Sequence, residues 1–175
     1  MCMNVKELDV QKQVTIRDVM GNVEDAIKKI PGAKTGDDCC PLTHTFADGV
    51  YIRQITMPKG MVIVSKLHKT THPYFVLKGD VSVLTEEGVV RIKGPYSGIT
   101  QAGTKRVLYI HEDTVWTTVH VTKETDLEKI EDAVIAKDYD ELPDHVKDQM
   151  PKEVIDIDKN KLVSFIKNIS ELKEE

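Results

Sequence analysis

Residues 60–79 read GMVIVSKLHKTTHPYFVLKG, and their pattern is the most informative in the chain about its fold class. It opens on a glycine, continues through β-branched residues to His68 and His72, and ends in a second strand-like run that stops at another glycine. Short runs rich in β-branched and aromatic residues, bounded by glycine or proline, are typical of β-strands. The stretch therefore predicts two strands joined by a connection that carries two histidines.

The same strand pattern continues on both sides of this stretch, through residues 46–122. The predicted strands are Tyr51–Met57, Met61–Leu67, Tyr74–Lys78, Val81–Leu84, Val89–Ile92, Val107–His111 and Thr114–Thr122. Gly79-Asp80 and His111-Glu112-Asp113 are predicted to separate neighbouring strands, and residues 94–98 are predicted to form a turn. Many short strands at close, regular spacing predict a β-sandwich or a small barrel.

Helical patterns flank the β-rich segment. Apolar residues at helical spacing predict a helix over 22–30, and two further stripes, over 127–135 and 162–172, predict helices that pack on the barrel or on a partner subunit. The chain is therefore divided into an N-terminal arm with a short helix (1–45), a β-barrel (46–122) and an acidic helical extension (123–175).

Length and composition indicate one ordinary globular domain. The chain has 175 residues, of which 40% are hydrophobic and 30% charged. It contains no apolar run near the roughly 18 residues of a membrane span, and its start lacks a secretory pattern. The three cysteines, Cys2, Cys39 and Cys40, form no disulfide framework. These features predict a cytoplasmic protein with reduced thiols and no membrane partner.

Charge is unevenly distributed along the chain. The net charge is -5, and the residues from Lys123 onward hold 16 acidic and 9 basic side chains, whereas residues 1–122 hold 13 and 15. General nucleic-acid binding requires a continuous basic surface, which this distribution argues against. A discrete anionic ligand inside the barrel remains compatible with it.

Residues 60–79 resemble the first cupin motif, in which two histidines, an acid and a glycine follow a strand. By position, Lys66 and His68 occupy the two histidine positions, and His72 occupies the position of the acid. Residues 94–106 resemble the second motif, with Arg106 at the position of its histidine. The resemblance covers about residues 46–122 and implies a cupin-type jelly-roll barrel. It also implies a homodimer or higher homo-oligomer.

A narrower resemblance concerns residues 41–46, 49–53 and 111–120. These runs, PLTHTF, GVYIR and HEDTVWTTVH, are similar to cupin-like proteins encoded by phages and prophages. That resemblance implies a viral origin, and hence the cytoplasm of the host, but no particular reaction.

The departures from the cupin motifs predict an anion site. Lys66 and Arg106 would repel a metal cation, and arginine binds carboxylate or phosphate through two parallel hydrogen bonds. Arg53 is a further candidate, because it can reach the same interior along its strand. The favoured ligand is a phosphate, pyrophosphate or carboxylate, including a nucleotide-derived molecule. The predicted ligand-binding residues are His68, His72, Arg106, Lys66, Arg53 and His120.

A metal site is the alternative interpretation of the same histidines. His68 and His72 could be joined by His120 or by His44, and neutral imidazoles suit zinc, iron, nickel or copper. The four-residue spacing also occurs in zinc proteases of the HExxH type, but Thr70, Thr71 and Pro73 oppose the helix that such a motif requires.

Three classes of function follow. The favoured one is a non-catalytic binder of an anionic molecule, for instance a phage sponge for a signal of host defence, because no general base or nucleophile pair is evident. The second is a metal-dependent oxygenase or isomerase, which a third metal ligand would support. The third is a structural protein with its polar side chains turned out of the barrel. Structural roles also compete for single residues: Arg106 could pair with Glu112 or Asp113, Lys66 could reach solvent, and Trp116 could be core.

Overall fold

The computed structural model describes residues 15–34, 36–150, 164, 165 and 167. Its helices are α1 Ile16–Lys28, α2 Leu127–Val134 and α3 Asp144–Gln149, with short 3₁₀ turns at Gly36–Cys39 and Tyr139–Glu141. Its strands are β1 Leu42–Ala47, β2 Val50–Met57, β3 Val62–Val64, β4 Leu67–His68, β5 His72–Thr85, β6 Gly88–Lys93, β7 Tyr96–Thr100, β8 Val107–Val121 and β9 Ile135–Ala136. Cys2 and the stripe over 162–172, except Phe165, lie outside the described residues.

Two long, bent strands organise the barrel. The first half of β5 and the second half of β8 pair with each other, and with β7, β2 and β1, in the order β7-β5-β8-β2-β1 (sheet I). The remaining halves pair with β6 and β3 in the order β6-β5-β8-β3 (sheet II). All pairings are antiparallel, and one core lies between the sheets. This arrangement confirms the predicted mostly-β jelly-roll barrel.

The bend in β5 lies at Gly79, where sequence analysis predicted a break between strands. The pairing with β8 shifts register between Val76 and Val81, and Gly79 has φ +108°. A side chain at this glycine would clash with Thr114. Such a bulge bends a strand without ending it. The predicted breaks at Gly79-Asp80 and at residues 111–113 are therefore wrong, because both segments continue as single strands.

Three strands and the start of one helix were also missed, and one of these strands, β9, begins at Ile135, the last residue of the stripe predicted as helical. β1 begins in the segment assigned to the N-terminal arm, and β7 replaces most of the turn predicted over 94–98. β7 was not predicted because it is short and contains a glycine. This glycine, Gly98, lies so close to Tyr74 that a side chain there would meet the tyrosine ring. α1 begins at Ile16, well before Asn22, because Thr15 and Asp18 form a reciprocal capping box that satisfies its first amides.

The helices cover sheet II and the open end of the barrel. α1 packs Ile16 and Met20 with Phe165 against Leu84 and Val107 on the outer side of sheet II. α2 begins at an Asp126 cap and buries Ile130 at the barrel opening, as the apolar stripe over 127–135 predicted. β9 then pairs with β4. Among the described helices, none has the length and apolar character needed to cross a membrane.

Candidate functional site

A cavity of about 170 Å³ lies between the two sheets at the end covered by α2. Its polar side chains come from strands β1, β2, β4, β5, β7 and β8 and from the segments just before β4 and β8, and α2 contributes Leu127, Ile130 and Glu131. The six predicted ligand-binding residues all border it, namely His68, His72, Arg106, Lys66, Arg53 and His120. These side chains line a cavity inside the barrel, so the arrangement expected of a purely structural barrel is not found.

Three of the bordering residues are histidines brought together from separate strands. His68 lies on β4, His72 begins β5, and His120 lies near the end of β8. One ring nitrogen from each lies within 4.8 Å of the others. The ring centroid of His72 is 4.4 Å from that of His68 and 4.3 Å from that of His120. The cluster therefore has the composition and compactness of a three-histidine metal site.

The hydrogen bonds around two of these rings determine which nitrogen carries the proton. His72 Nδ1 lies 3.0 Å from the carbonyl oxygen of Thr70, which can only accept, so Nδ1 is the protonated nitrogen. The Thr118 hydroxyl donates to the Arg53 carbonyl at 3.4 Å, and its oxygen lies 3.2 Å from His120 Nε2. Nε2 of His120 therefore donates to Thr118. Both rings are left with a bare lone pair on the other nitrogen.

Those two nitrogens, and Nδ1 of His68, have no hydrogen-bond partner in the part of the chain that the structure describes. His68 Nδ1, His72 Nε2 and His120 Nδ1 are buried without a hydrogen bond to any described residue. His72 and His120 are each 3% exposed. A buried polar atom without a partner costs about 1–3 kcal/mol. Three such atoms in one cluster are the arrangement expected at a site where a metal or another ligand binds.

The histidines are neutral, which is the form that binds metal. Burial is the largest cause of the lowered pKa of all three, and it brings the pKa of His68 to about 2 and that of His120 to about 4. The charges of Arg53 and Arg106 and the neighbouring histidines add to the effect. Neutral imidazoles without a proton on the facing nitrogen are the donor set of open zinc, iron, nickel or copper sites. The residues present therefore fit a divalent transition metal.

Arg106 forms the cationic side of the cavity. Its side chain is 9% exposed, and Nη2 donates to Thr100 Oγ1 at 3.0 Å. The guanidinium carbon lies 5.3 Å from the ring centroid of Tyr74 and 5.9 Å from that of Trp116. No carboxylate of the described chain pairs with it, and burial lowers its pKa. The alternative pairing with Glu112 or Asp113 is not formed, which leaves a buried charge facing the cavity.

The other two predicted cations have different surroundings. Lys66 Nζ lies 2.6 Å from Glu131 Oε1 on α2, so its charge is balanced at the cavity wall. Arg53 borders the cavity and its backbone carbonyl supports the Thr118 hydroxyl. Lys66, which directly precedes β4, thus links this segment to α2. Arg53 and Arg106 contribute positive charge toward the histidines.

His44 stands beside the cluster without joining it. Its Nδ1 is 2.7 Å from the Tyr51 hydroxyl, and Tyr51 stacks on His120 with ring centroids 5.9 Å apart. His120, not His44, is therefore the third histidine. Trp116 is buried and stacks on Tyr74 at 4.5 Å, as a core residue would.

Of the two described cysteines, Cys39 lies at the cavity and Cys40 lies in the core. Cys39 borders the cavity, and the Cys40 thiol is buried 3.8 Å from Met61 Sδ. Burial raises the pKa of Cys40 to about 12, which keeps its thiol protonated and unreactive.

Three supporting residues were missed at the sequence level. Thr118 is two positions before His120 on the same face of β8, so strand alternation could have indicated it. Thr100 is the register partner of His72, which no local signal reveals. Glu131 meets Lys66 across 65 residues of sequence, and its place on a charged helix face resembles ordinary solvated surface.

Comparisons with known proteins identify similar barrels but no close relative. Neither a family model nor a curated protein matches the chain. The solved cupin domain of Schizosaccharomyces pombe Cnp3 is 16% identical, covering 54% of this chain and 68% of that one, with a TM-score of 0.42. KdgF from Halomonas sp. is 11% identical over 54% and 90%, with a TM-score of 0.44. A cupin superfamily protein from Desulfitobacterium hafniense is 9% identical over 51% and 84%, with a TM-score of 0.42. The jelly-roll assignment itself rests on the strand order and register.

Proposed function

We propose that the protein is a metal-dependent enzyme for a small anionic substrate, with its metal on His68, His72 and His120. The observation that carries the proposal is the group of three buried imidazole nitrogens that face one another without a partner. Three protein ligands beside a cavity leave coordination positions open, as in catalytic metal sites, whereas structural zinc sites are closed by four. The third ligand favours an enzyme over a plain binder.

The protein's own groups prepare this site. The Thr70 carbonyl and the Thr118 hydroxyl hold the protons of His72 and His120 on the outward nitrogens, so the inward lone pairs are fixed in place. A bound divalent metal would supply Lewis-acid polarisation of a substrate oxygen or activation of a bound water. α2 covers the opening and shields the cluster from solvent.

Arg106 supports the anionic character of the substrate. A guanidinium that lacks a carboxylate partner gains a charge-assisted hydrogen bond when a carboxylate or phosphate enters. Thr100 already holds one of its nitrogens, and the Tyr74 and Trp116 rings limit its movement. The substrate would place its anionic group here and a second donor atom toward the histidines.

The volume of the cavity argues for a small substrate. At about 170 Å³ it is below the roughly 300–1,000 Å³ of pockets that enclose drug-sized ligands. A compact carboxylate or inorganic phosphate fits this volume better than a nucleotide. This is an argument against the nucleotide-derived ligand, although not against anion binding itself.

Elemental analysis tests the metal centre. Protein purified without added metal, and then exposed to zinc, iron, nickel or copper, should retain one equivalent of one of them after gel filtration. His72→Ala and His120→Ala should lose it. His145→Ala is the matched control, because His145 is exposed on α3, outside the cluster. An equal metal content in the wild-type protein and all three variants would refute the assignment of the metal to the histidine cluster.

The non-catalytic alternative has a specific observation in its favour, the unpaired Arg106. In that case the protein would capture an anionic molecule unchanged, as a phage sponge for a defence signal would. Mass spectrometry of the small molecules released on denaturation distinguishes the two. An intact nucleotide released from metal-free protein at one equivalent would favour the sponge over the enzyme.

A further inference from the structure

The cavity changes from polar to apolar along strand β2. Alternate residues of this strand border it, from Tyr51 near one end of the strand to Met57 at the other. Tyr51 lies opposite His120 on β8, whereas Ile55, further along β2, lies opposite Trp116. The histidine cluster therefore lies at one end of the cavity, and an apolar wall follows it along the same two strands.

The apolar wall is built from three strands. Its members border the cavity and belong to, or pack against, a single core cluster, namely Ile55, Met57, Ile63, Leu108 and Trp116. Ile63 on β3 and Leu108 on β8 are register partners, so the wall continues from sheet I onto sheet II. An inorganic anion such as phosphate has no group that can pack on this wall. A ligand with an alkyl group would bury apolar surface there, which favours binding.

The side chain of Arg106 lies near both the wall and the histidines. Its guanidinium carbon is 5.9 Å from the ring centroid of Trp116, a member of the wall. In addition, its Nη2 donates to Thr100 Oγ1 at 3.0 Å, and Thr100 is the register partner of His72. Register partners in antiparallel strands have Cα atoms about 4.5–5.5 Å apart. A carboxylate bound to Arg106 would therefore lie close to the histidine cluster and to the apolar wall.

The charge of the cavity limits which second group can accompany such a carboxylate. Arg53 and Arg106 both border the cavity, and Glu131 is the one carboxylate among the described residues that line it. Lys66 Nζ lies 2.6 Å from Glu131 Oε1, so this carboxylate is already paired. An ammonium group, as in an amino acid, would meet positive charge without a counter-charge and would be repelled. A neutral hydroxyl or carbonyl oxygen would not be.

The size of the cavity requires that these groups be close together in the ligand. Its volume is only about 170 Å³. An oxygen on the carbon next to the carboxylate keeps both polar groups at one end of the molecule, which leaves the other end for a short alkyl group. The polar end then matches Arg106 and the histidines, and the alkyl group matches the wall around Ile55 and Leu108.

We propose that the substrate is a short aliphatic carboxylic acid with a hydroxyl or carbonyl oxygen on its second carbon. Its carboxylate would bind Arg106, and its alkyl group would pack on the apolar wall. This inference rests on the metal-dependent function proposed above, because the second oxygen is directed toward the three histidines. It goes further in excluding inorganic phosphate and amino acids as substrates.

Calorimetric titration of the zinc-loaded full chain with a matched series of ligands tests the substrate class. 2-Hydroxybutanoate should bind most tightly. Butanoate lacks the second oxygen and 2-aminobutanoate carries an ammonium group, so each should bind at least about tenfold more weakly, the loss expected for one charge-assisted polar contact. Glycolate lacks the ethyl group and should bind about 15-fold more weakly, because each buried methylene contributes about fourfold. Removal of zinc should abolish the preference for 2-hydroxybutanoate over butanoate.

Two isoleucines of β2 test the apolar wall separately. Ile55→Thr should weaken 2-hydroxybutanoate binding about fourfold and leave glycolate binding unchanged, because only the longer ligand reaches the wall. Ile52→Thr is the matched control, because Ile52 is partly buried like Ile55 but does not border the cavity. It should leave both affinities unchanged. If Ile55→Thr does not fold, the ligand series on the wild-type protein decides alone.

The zinc content of each sample distinguishes a wrong substrate class from a wrong metal centre. If zinc is retained but butanoate, glycolate or 2-aminobutanoate binds as tightly as 2-hydroxybutanoate, the substrate class is overturned and the metal centre stands. The same holds if the zinc-loaded protein binds none of these ligands, or if folded Ile55→Thr binds 2-hydroxybutanoate like the wild type. If zinc is not retained, the metal centre is overturned and the substrate class with it.

Discussion

The two ends of the barrel interior differ in how their buried groups are satisfied. At the apolar end, Val81, Val83 and Ile110 are at most 1% exposed and belong to one cluster of buried, mostly apolar residues. At the histidine end, His72 and His120 are buried to nearly the same degree, yet each has a ring nitrogen without a partner. Arg106 adds a buried charge there. The same two sheets thus enclose an apolar core and a region whose polar groups lack partners among the described residues.

This difference separates the residues that stabilise the fold from the residues that would bind a ligand. Burial of apolar groups stabilises the fold without any other molecule, whereas unpaired polar groups lower stability until a ligand binds. We therefore expect changes at the apolar end to affect stability alone, and changes at the histidine end to affect binding. The following predictions test that separation: three substitutions, from the largest expected effect to the smallest, and then the dependence on pH.

Shortening a side chain at the apolar end should reduce stability and leave metal binding intact. Ile110→Ala removes buried methyl and methylene groups from a fully enclosed position, and we expect the free energy of unfolding to fall by about 2–5 kcal/mol. Urea unfolding of the metal-free protein measures this change, and elemental analysis of the folded variant should still find one equivalent of metal. Loss of metal from a folded Ile110→Ala protein would contradict the separation.

Removing the charge of Arg106 should weaken anion binding and leave the stability of the ligand-free protein intact. Arg106→Met keeps much of the volume, and we expect phosphate or acetate binding to weaken by roughly 1.5–3 kcal/mol, which is about 10- to 150-fold. Because the charge is buried without a carboxylate, stability without ligand should not decrease. Calorimetric titration measures the affinity, with Lys129→Met as the exposed control. Unchanged anion affinity would remove Arg106 from the site.

Removing the hydroxyl that supports His120 should weaken metal binding more modestly. Thr118→Val abolishes the acceptor for His120 Nε2, and we expect the metal affinity to fall about 10- to 100-fold, as for other groups that orient a metal ligand. Thr117→Val is the neighbouring control on the outer face of sheet I. Competition with a chromophoric chelator measures both variants, and equal affinities would show that Thr118 has no part in the site.

Acid should destabilise the metal-free protein through the buried histidines. Their pKa is lowered in the folded state, so below the unfolded value of about 6.5 only the unfolded chain takes up these protons. Stability is then lost as the pH falls, at up to about 1.4 kcal/mol per pH unit for each histidine, and for His120 the loss continues to a pH of about 4. Urea unfolding with chelator present at several pH values measures the slope. His120→Asn should reduce it, and an unchanged slope would argue against burial of a neutral His120.

Part of the site could be predicted from sequence because local patterns carry it. The cupin-like motif indicated His68, His72 and Arg106, and strand alternation placed His120 on the same face as the buried Trp116. The fold class followed from strand spacing. The bends of β5 and β8 could not be predicted in this way. Glycine and charged residues usually end strands, whereas here they occupy bulges within continuous strands.

The remaining features depend on contacts between distant segments. Glu131 balances Lys66 only because β9 pairs with β4 and brings α2 over the opening. The unpaired state of Arg106 follows from where Glu112 and Asp113 point, which a sequence does not specify. Likewise, the protonated nitrogen of each histidine depends on the Thr70 carbonyl and the Thr118 hydroxyl. Such relations appear only when the chain has folded.

The most direct test of the metal centre is a crystal structure of the metal-loaded protein with anomalous diffraction at the metal's absorption edge. We expect a single strong anomalous peak about 2.0–2.1 Å from His68 Nδ1, His72 Nε2 and His120 Nδ1 if the metal is zinc. These are the three nitrogens left without partners. A peak at other residues, or none in protein crystallised with excess metal, would contradict the central claim.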